Sequence, residues 1–122
     1  MSTIKTETLS TPSNATVPVD TVVNGTAKAW VNFNGTGTVA IRRAFNVSSI
    51  TDNGTGLYTV NFATAMPDAN YSVVGSVIGT TNPYNNYVCG NGLALQTSNC
   101  QVKTYQNAGV YDSEVVSVSI FS

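Results

Sequence analysis

Histidine is absent from the 122 residues. This removes the usual general base near neutral pH, every Ser-His or Cys-His nucleophile arrangement and the commonest transition-metal ligand. Paired carboxylates are the remaining route to acid–base chemistry, and Asp112 with Glu114 is the one spacing that a strand would place on a single face. Two acids two residues apart near a strand start are read here as a solvated edge. No catalytic residue is assigned, and the chain is not expected to be an enzyme.

Asp52-Asn53-Gly54-Thr55-Gly56 offers oxygen ligands around a glycine. It lacks the full spacing and the terminal Glu of a calcium loop, and hairpin-turn chemistry accounts for every residue in it. Gly35-Thr36-Gly37 lacks the Lys and the following helix of a phosphate cradle. No metal and no cofactor is expected. Cys89 and Cys100 are the only cysteines. They have no CxxC spacing, and both free thiols and a cross-hairpin disulfide fit, with synthesis in a reducing compartment favouring the thiols. Asn-x-Ser/Thr triplets at Asn14, Asn24, Asn34, Asn46, Asn53 and Asn70 read as by-products of turn chemistry rather than glycan sites.

One constellation carries recognition chemistry: Asn82-Pro83-Tyr84-Asn85-Asn86-Tyr87, supported by Tyr105-Gln106-Asn107 and Tyr111. Tyrosine supplies a rigid apolar face with a polar tip, and asparagine both donates and accepts, which suits sugar hydroxyls or polar epitopes. The candidate ligand-contacting residues are Tyr84, Asn85, Asn86, Tyr87, Tyr105 and Tyr111. The same residues also suit local or intersubunit packing.

The elements that must position these residues are strands. Residues 1–26 are Thr- and Ser-rich with scattered aliphatics, the composition of an extended arm that needs a neighbouring subunit or another protein to order it. From Ala27 the pattern becomes period two, with Ala29, Val31 and Phe33 facing one way and Lys28, Trp30 and Asn32 the other. Asn34-Gly35 predicts a hairpin turn into a second strand over residues 39–47. Strict alternation there would put Arg43 on the face of Val39, Ile41, Phe45 and Val47; a bulge that re-aims it is expected. A turn over residues 48–56 leads to a third strand over 57–62 with Tyr58, Val60 and Phe62 on one face. Residues 63–70 form a loop around Pro67 and Asp68, and a fourth strand covers 71–79. Further strands are expected over 100–105 and 114–121. The fold class is all-β: an antiparallel β-sandwich or barrel-like meander of about six to eight short strands over residues 27–122, preceded by an extended N-terminal arm over 1–26.

Composition narrows the partners. Charged residues make up 9% of the chain against about 25% in an average domain. The surface must be solvated by amides and hydroxyls or hidden against other chains. A net charge of −1 supplies no field for nucleic acid or an anionic membrane. No apolar run reaches the roughly 20 residues of a membrane helix, and the N-terminus lacks the basic and apolar regions of a signal peptide. Synthesis in the cytoplasm, no nucleic-acid binding and no membrane insertion are expected.

Residues 28–73 contain KAWVNFNGTG, FNVSSITDNGTGLYTVNF and AMPDANY in that order. This segment closely resembles a recurrent segment of the tail-fibre and fibre-like virion structural proteins of tailed bacteriophages. The resemblance implies an antiparallel β-domain, commonly homotrimeric, with a variable portion behind it that faces the host surface. It further implies a location on the virion after synthesis in the host cytoplasm. On it rest three expected partners: two further copies of the chain, another virion protein held through the arm, and a host surface polysaccharide or protein. Either a fibre tip that contributes to host attachment or a head fibre or capsid decoration protein without a receptor fits.

Overall fold

The structure, a computed structural model, describes residues 2–79, 87–89, 94–106 and 109–122, with residues 87–89 described by their backbone. The arm contains local structure. Strand β1 (Thr8–Ser10) pairs antiparallel with β2 (Thr16–Pro18), Leu9 opposite Val17, and helix α1 (Val19–Gly25) follows directly. Pro18 precedes the helix at a φ of −59° and Asp20 sits in its first turn, where the helix dipole favours an acid. Thr26 Oγ1 and Lys28 Nζ donate to the carbonyls of Val22 and Val23 at its other end. Two turns are too short for a helical period to stand out among threonines and serines. No residue of α1 is buried.

Beyond the arm come β3 (Ala29–Asn34), β4 (Ala40–Phe45), β5 (Val47–Asp52), β6 (Leu57–Phe62), β7 (Ser72–Ile78), β8 (Tyr87–Cys89), β9 (Asn99–Gln106), β10 (Gly109–Val110) and β11 (Val115–Phe121). They form two antiparallel sheets, one ordered β4-β3-β11-β7 and the other β10-β9-β6-β5 with β8 also on β9. Ala29, Val31, Phe33, Val116, Val118 and Ile120 of the first sheet share one core with Tyr58, Val60, Phe62, Cys100 and Val102 of the second. The fold is a sandwich-like all-β domain in which inward and outward residues alternate along each central strand. The alternation expected for β3 and β6 is the alternation observed.

Three local expectations change in detail. The chain does not run on as one strand from residue 39 to 47. Asn46 stands in the left-handed region with φ 52° and turns the chain from the first sheet into the second, so that β5 pairs with β6 where a turn from Ser48 onward was expected. Asn46 Nδ2 donates to Lys28 O at 3.0 Å and Thr64 O at 3.1 Å, and its Oδ1 accepts from Thr64 N at 2.6 Å. Asparagine tolerates this backbone region and here bonds both flanks of the corner.

The loop between β3 and β4 is not a two-residue Asn-Gly turn. Asn34 Oδ1 accepts from Thr36 N and Oγ1, an Asx-type turn, and the positive φ of 57° falls on Gly37. Gly35 serves close approach instead: a Cβ there would lie 2.4 Å from the Tyr58 hydroxyl and 2.9 Å from Ser113 O. The expected bulge is present. Asn32 pairs with Arg43 but Phe33 pairs with Ile41, so Arg42 is the extra residue and Arg43 turns outward beside Asn32. Arg42 is held by donating to Asn32 Oδ1 and Glu114 O. Beyond the bulge Phe45 also faces outward, opposite Trp30, where strict alternation would turn it inward, and Ala44 takes the inward position opposite Val31.

Candidate functional site

Three of the candidate tyrosines, Tyr87, Tyr105 and Tyr111, lie on segments around one end of the second sheet. Along β9, Cys100, Val102 and Thr104 point into the core, while Lys103 and Tyr105 lie on the outer, half-buried side. Tyr105 sits at a register position flanked on both edges, by Tyr87 on β8 and by Val110 on β10. Tyr111 follows Val110 directly and its side chain is 41% exposed. Tyr87, Tyr105 and Tyr111, separated by up to 24 positions in the sequence, are thereby placed on three adjacent segments. Tyr84, Asn85, Asn86 and Asn107 lie outside the described residues.

A polar junction fixes the Tyr111 segment. Leu57 on β6 pairs with Lys103 and Val110 on β10 pairs with Tyr105 along the same edge of β9, so β6 and β10 lie end to end with Gly56 and Tyr111 at the join. Tyr111 N donates to Thr104 O at 3.0 Å and Thr104 N donates to Gly56 O at 2.8 Å, while Thr104 Oγ1 donates to Tyr111 O. Gly56 N donates to Asp112 Oδ1 at 2.7 Å. The join admits no side chain at residue 56: a Cβ would meet Tyr111 N at 2.6 Å and Thr104 O at 2.7 Å, and φ is +63°.

Tyr58 completes this junction from below. Its fully buried hydroxyl lies within bonding distance of Gly35 O at 2.9 Å and Asp112 Oδ1 at 2.8 Å, and its ring meets Phe33 edge-on at 5.1 Å. Burial, and then the hydrogen bond and charge of Asp112, push the phenol well above the ordinary tyrosine range, so Tyr58 stays a neutral donor. Next to it Ser113 Oγ is buried without a hydrogen-bond partner among the described residues.

Asp112 therefore does not share a strand face with Glu114 as the spacing suggested. Both lie in the segment before β11, and Asp112 spends one oxygen on the Gly56 amide and the Tyr58 hydroxyl. Thr104, Gly56 and Tyr58 were not among the candidates, because their part is to hold backbone rather than to face outward. The only sequence signal for them is the Gly-x-Tyr at the end of the Asn-Gly-Thr turn. Cys100 is a buried free thiol pushed up to about 12 by desolvation. Cys89 lies opposite Lys103, three positions along β9 from it. Among the described residues no group of three or more His, Cys, Asp or Glu is placed to hold a metal ion, and no helix is long and apolar enough to cross a membrane.

Chemically, the described outer side of this end carries the exposed Tyr111 ring and the half-buried Tyr105, with Lys103 beside it on β9. A phenol ring offers an apolar face for stacking and a polar tip for hydrogen bonding. No family model, no curated protein and no solved structure matches the chain.

Proposed function

We propose that the chain is a non-enzymatic structural protein of a bacteriophage virion, a small trimeric fibre or fibre tip that contributes to attachment to the host surface. The observation that carries this reading is the phage-fibre-like segment over residues 28–73, which here spans the two hairpins β3–β4 and β5–β6, one in each sheet. The low charge and the tyrosine-bearing end of the second sheet support it. Residues 1–26 join subunits or seat them on another virion protein, and the tyrosine end meets a host polysaccharide or surface protein. Attachment then works through avidity: several weak contacts per trimer and several trimers per particle, summed by effective concentration.

The test is adsorption of particles carrying Tyr105→Ala with Tyr111→Ala. Adsorption should fall about tenfold or more, because each weakened contact is multiplied across the particle, while the amount of the protein on the particle stays unchanged. Unchanged adsorption sinks the attachment part, and loss of the protein from the particle shows that these tyrosines pack between subunits instead. A head fibre or decoration protein is the second reading, favoured by an arm in which Ile4, Leu9, Val22 and Val23 are exposed. Tens to hundreds of labelled copies on the head would select it.

A further inference from the structure

The outer face of the β4-β3-β11-β7 sheet and the N-terminal arm are two incompletely covered apolar surfaces of one chain. On the sheet, cross-strand register aligns Phe45, Trp30, Ser119 and Val74 in one row across all four strands. Phe45 is 55%, Trp30 36% and Val74 56% exposed. The neighbouring row is Arg43, Asn32, Ser117 and Ser76. Two large aromatics and a valine in line on an outward face are not explained by solvation, since the adjacent row shows what a solvated row of this sheet contains.

The arm has the converse shape. On α1 Val19, Val22 and Val23 have the i, i+3, i+4 spacing of one helical face, yet Val22 and Val23 are exposed, as are Leu9 and Ile4. A lone two-stranded hairpin and a seven-residue helix are each marginal in water, so this arm calls for a surface to rest on. The dimensions agree: seven helical residues span about 10 Å, and a row across four strands spans about 14 Å. The charges agree as well. Arg43 is exposed on the sheet face, Lys5, Glu7 and Asp20 are exposed on the arm, which leaves the arm with one net negative charge, and among the described residues none of these four side-chain charges has a partner.

The geometry points to an arm exchange: residues 2–26 of one copy lie on the outer β4-β3-β11-β7 face of a second copy, with the valine stripe of α1 over the Phe45–Trp30–Val74 row and the Glu7 and Asp20 carboxylates toward Arg43. The surface carries an oligomer contact, and its occupant is this chain itself. The inference rests on the homo-oligomeric part of the proposed function and assigns the contact within it. It makes each subunit both donor and acceptor, and a head-to-tail arrangement whose rotation closes gives the ring that a trimer requires.

Sedimentation velocity on the full chain at micromolar concentration tests it. The unmodified chain should sediment as an oligomer, and Val22→Glu with Val23→Glu, or Phe45→Glu with Val74→Glu, should each sediment as a folded monomer by circular dichroism. Arg43→Glu should raise the concentration of half-association about tenfold, Glu7→Lys with Asp20→Lys likewise, and the three charge reversals together should bring it back to within about twofold of the original. An arm variant that keeps the original oligomer overturns the arm exchange while leaving the homo-oligomer intact. Charge reversals that fail to compensate overturn the stated register of arm on face. A monomeric unmodified chain overturns both the exchange and the oligomeric reading.

Discussion

The hydroxyl of Tyr58 lies 2.8 Å from Asp112 Oδ1 and 2.9 Å from Gly35 O, so one phenol in the second sheet ties down the segments that leave β3 and enter β11 in the first. Tyr58→Phe keeps the ring against Phe33 but removes the one hydroxyl that Gly35 O and Asp112 Oδ1 share, leaving Asp112 only the Gly56 amide, which should cost about 1–3 kcal/mol. Asp112→Asn retains an oxygen for the Gly56 amide and should cost less than Asp112→Ala, which leaves that amide unpaired too. The urea midpoint should be lower for Asp112→Ala than for Asp112→Asn, and midpoints of both equal to that of the unmodified protein would show the carboxylate to be idle.

Two glycines with nearly the same backbone angle should respond very differently to alanine. Gly37 has φ +57° with nothing within 4 Å of a new Cβ, whereas Gly56 has φ +63° with backbone atoms at 2.6 and 2.7 Å. Gly37→Ala should cost about 1–2 kcal/mol for the left-handed conformation alone. Gly56→Ala adds overpacking against atoms that cannot rotate away and should cost about 3 kcal/mol or more. Thermal melts side by side would expose any similarity between them.

At the corner between the sheets, Asn46 combines a left-handed backbone with three hydrogen bonds. Asn46→Gly keeps the first and loses the second, and should cost about 2 kcal/mol; Asn46→Ala loses both and should cost about 3 kcal/mol. If glycine proved the worse replacement, conformational freedom rather than the bonds would be what asparagine controls.

Alkaline pH should loosen the fold from within. Burial pushes Tyr71 from 10.0 to about 12 and Cys100 from 9.0 to about 12, and pushes Tyr58 up as well. In the unfolded chain these groups lose their protons first, so the unfolded state binds fewer protons there and stability falls with rising pH. The contribution is fully present below about pH 9 and is lost progressively toward about pH 12. Denaturant midpoints across that window check the direction. In a Cys89→Ser background, a thiol reagent should leave Cys100 untouched until the protein unfolds, because the side chain is 0% exposed.

Much of the fold is legible in side-chain alternation. Val31 and Phe33, and Tyr58, Val60 and Phe62, point inward as their spacing requires, because a strand with one wet face leaves only one phase for its apolar residues. What alternation hides is which sheet a strand joins. Phe45 and Val47 keep period two across Asn46, and a single asparagine is all that marks the corner. The tyrosines of the candidate site stand out by residue type, but the nearness of Tyr105 to Tyr87 is a matter of register between strands 18 positions apart, which residue type does not encode. Asn34-Gly35 is a strong turn signal and marks Gly35 as a turn residue. Its actual need, room for the Tyr58 hydroxyl, depends on a contact across 23 positions.

The central place of β11 between β3 and β7 has a consequence for how the protein comes into being. The β3–β4 and β5–β6 hairpins close locally and can form while synthesis continues, but β3 gains its second partner only when residues 115–121 are available. Until then β3 and β7 each present an open edge, and the apolar side of the first sheet has a gap through its middle. The nascent chain therefore passes through a stage with exposed, adhesive strand edges, which ends only when β11 slots in.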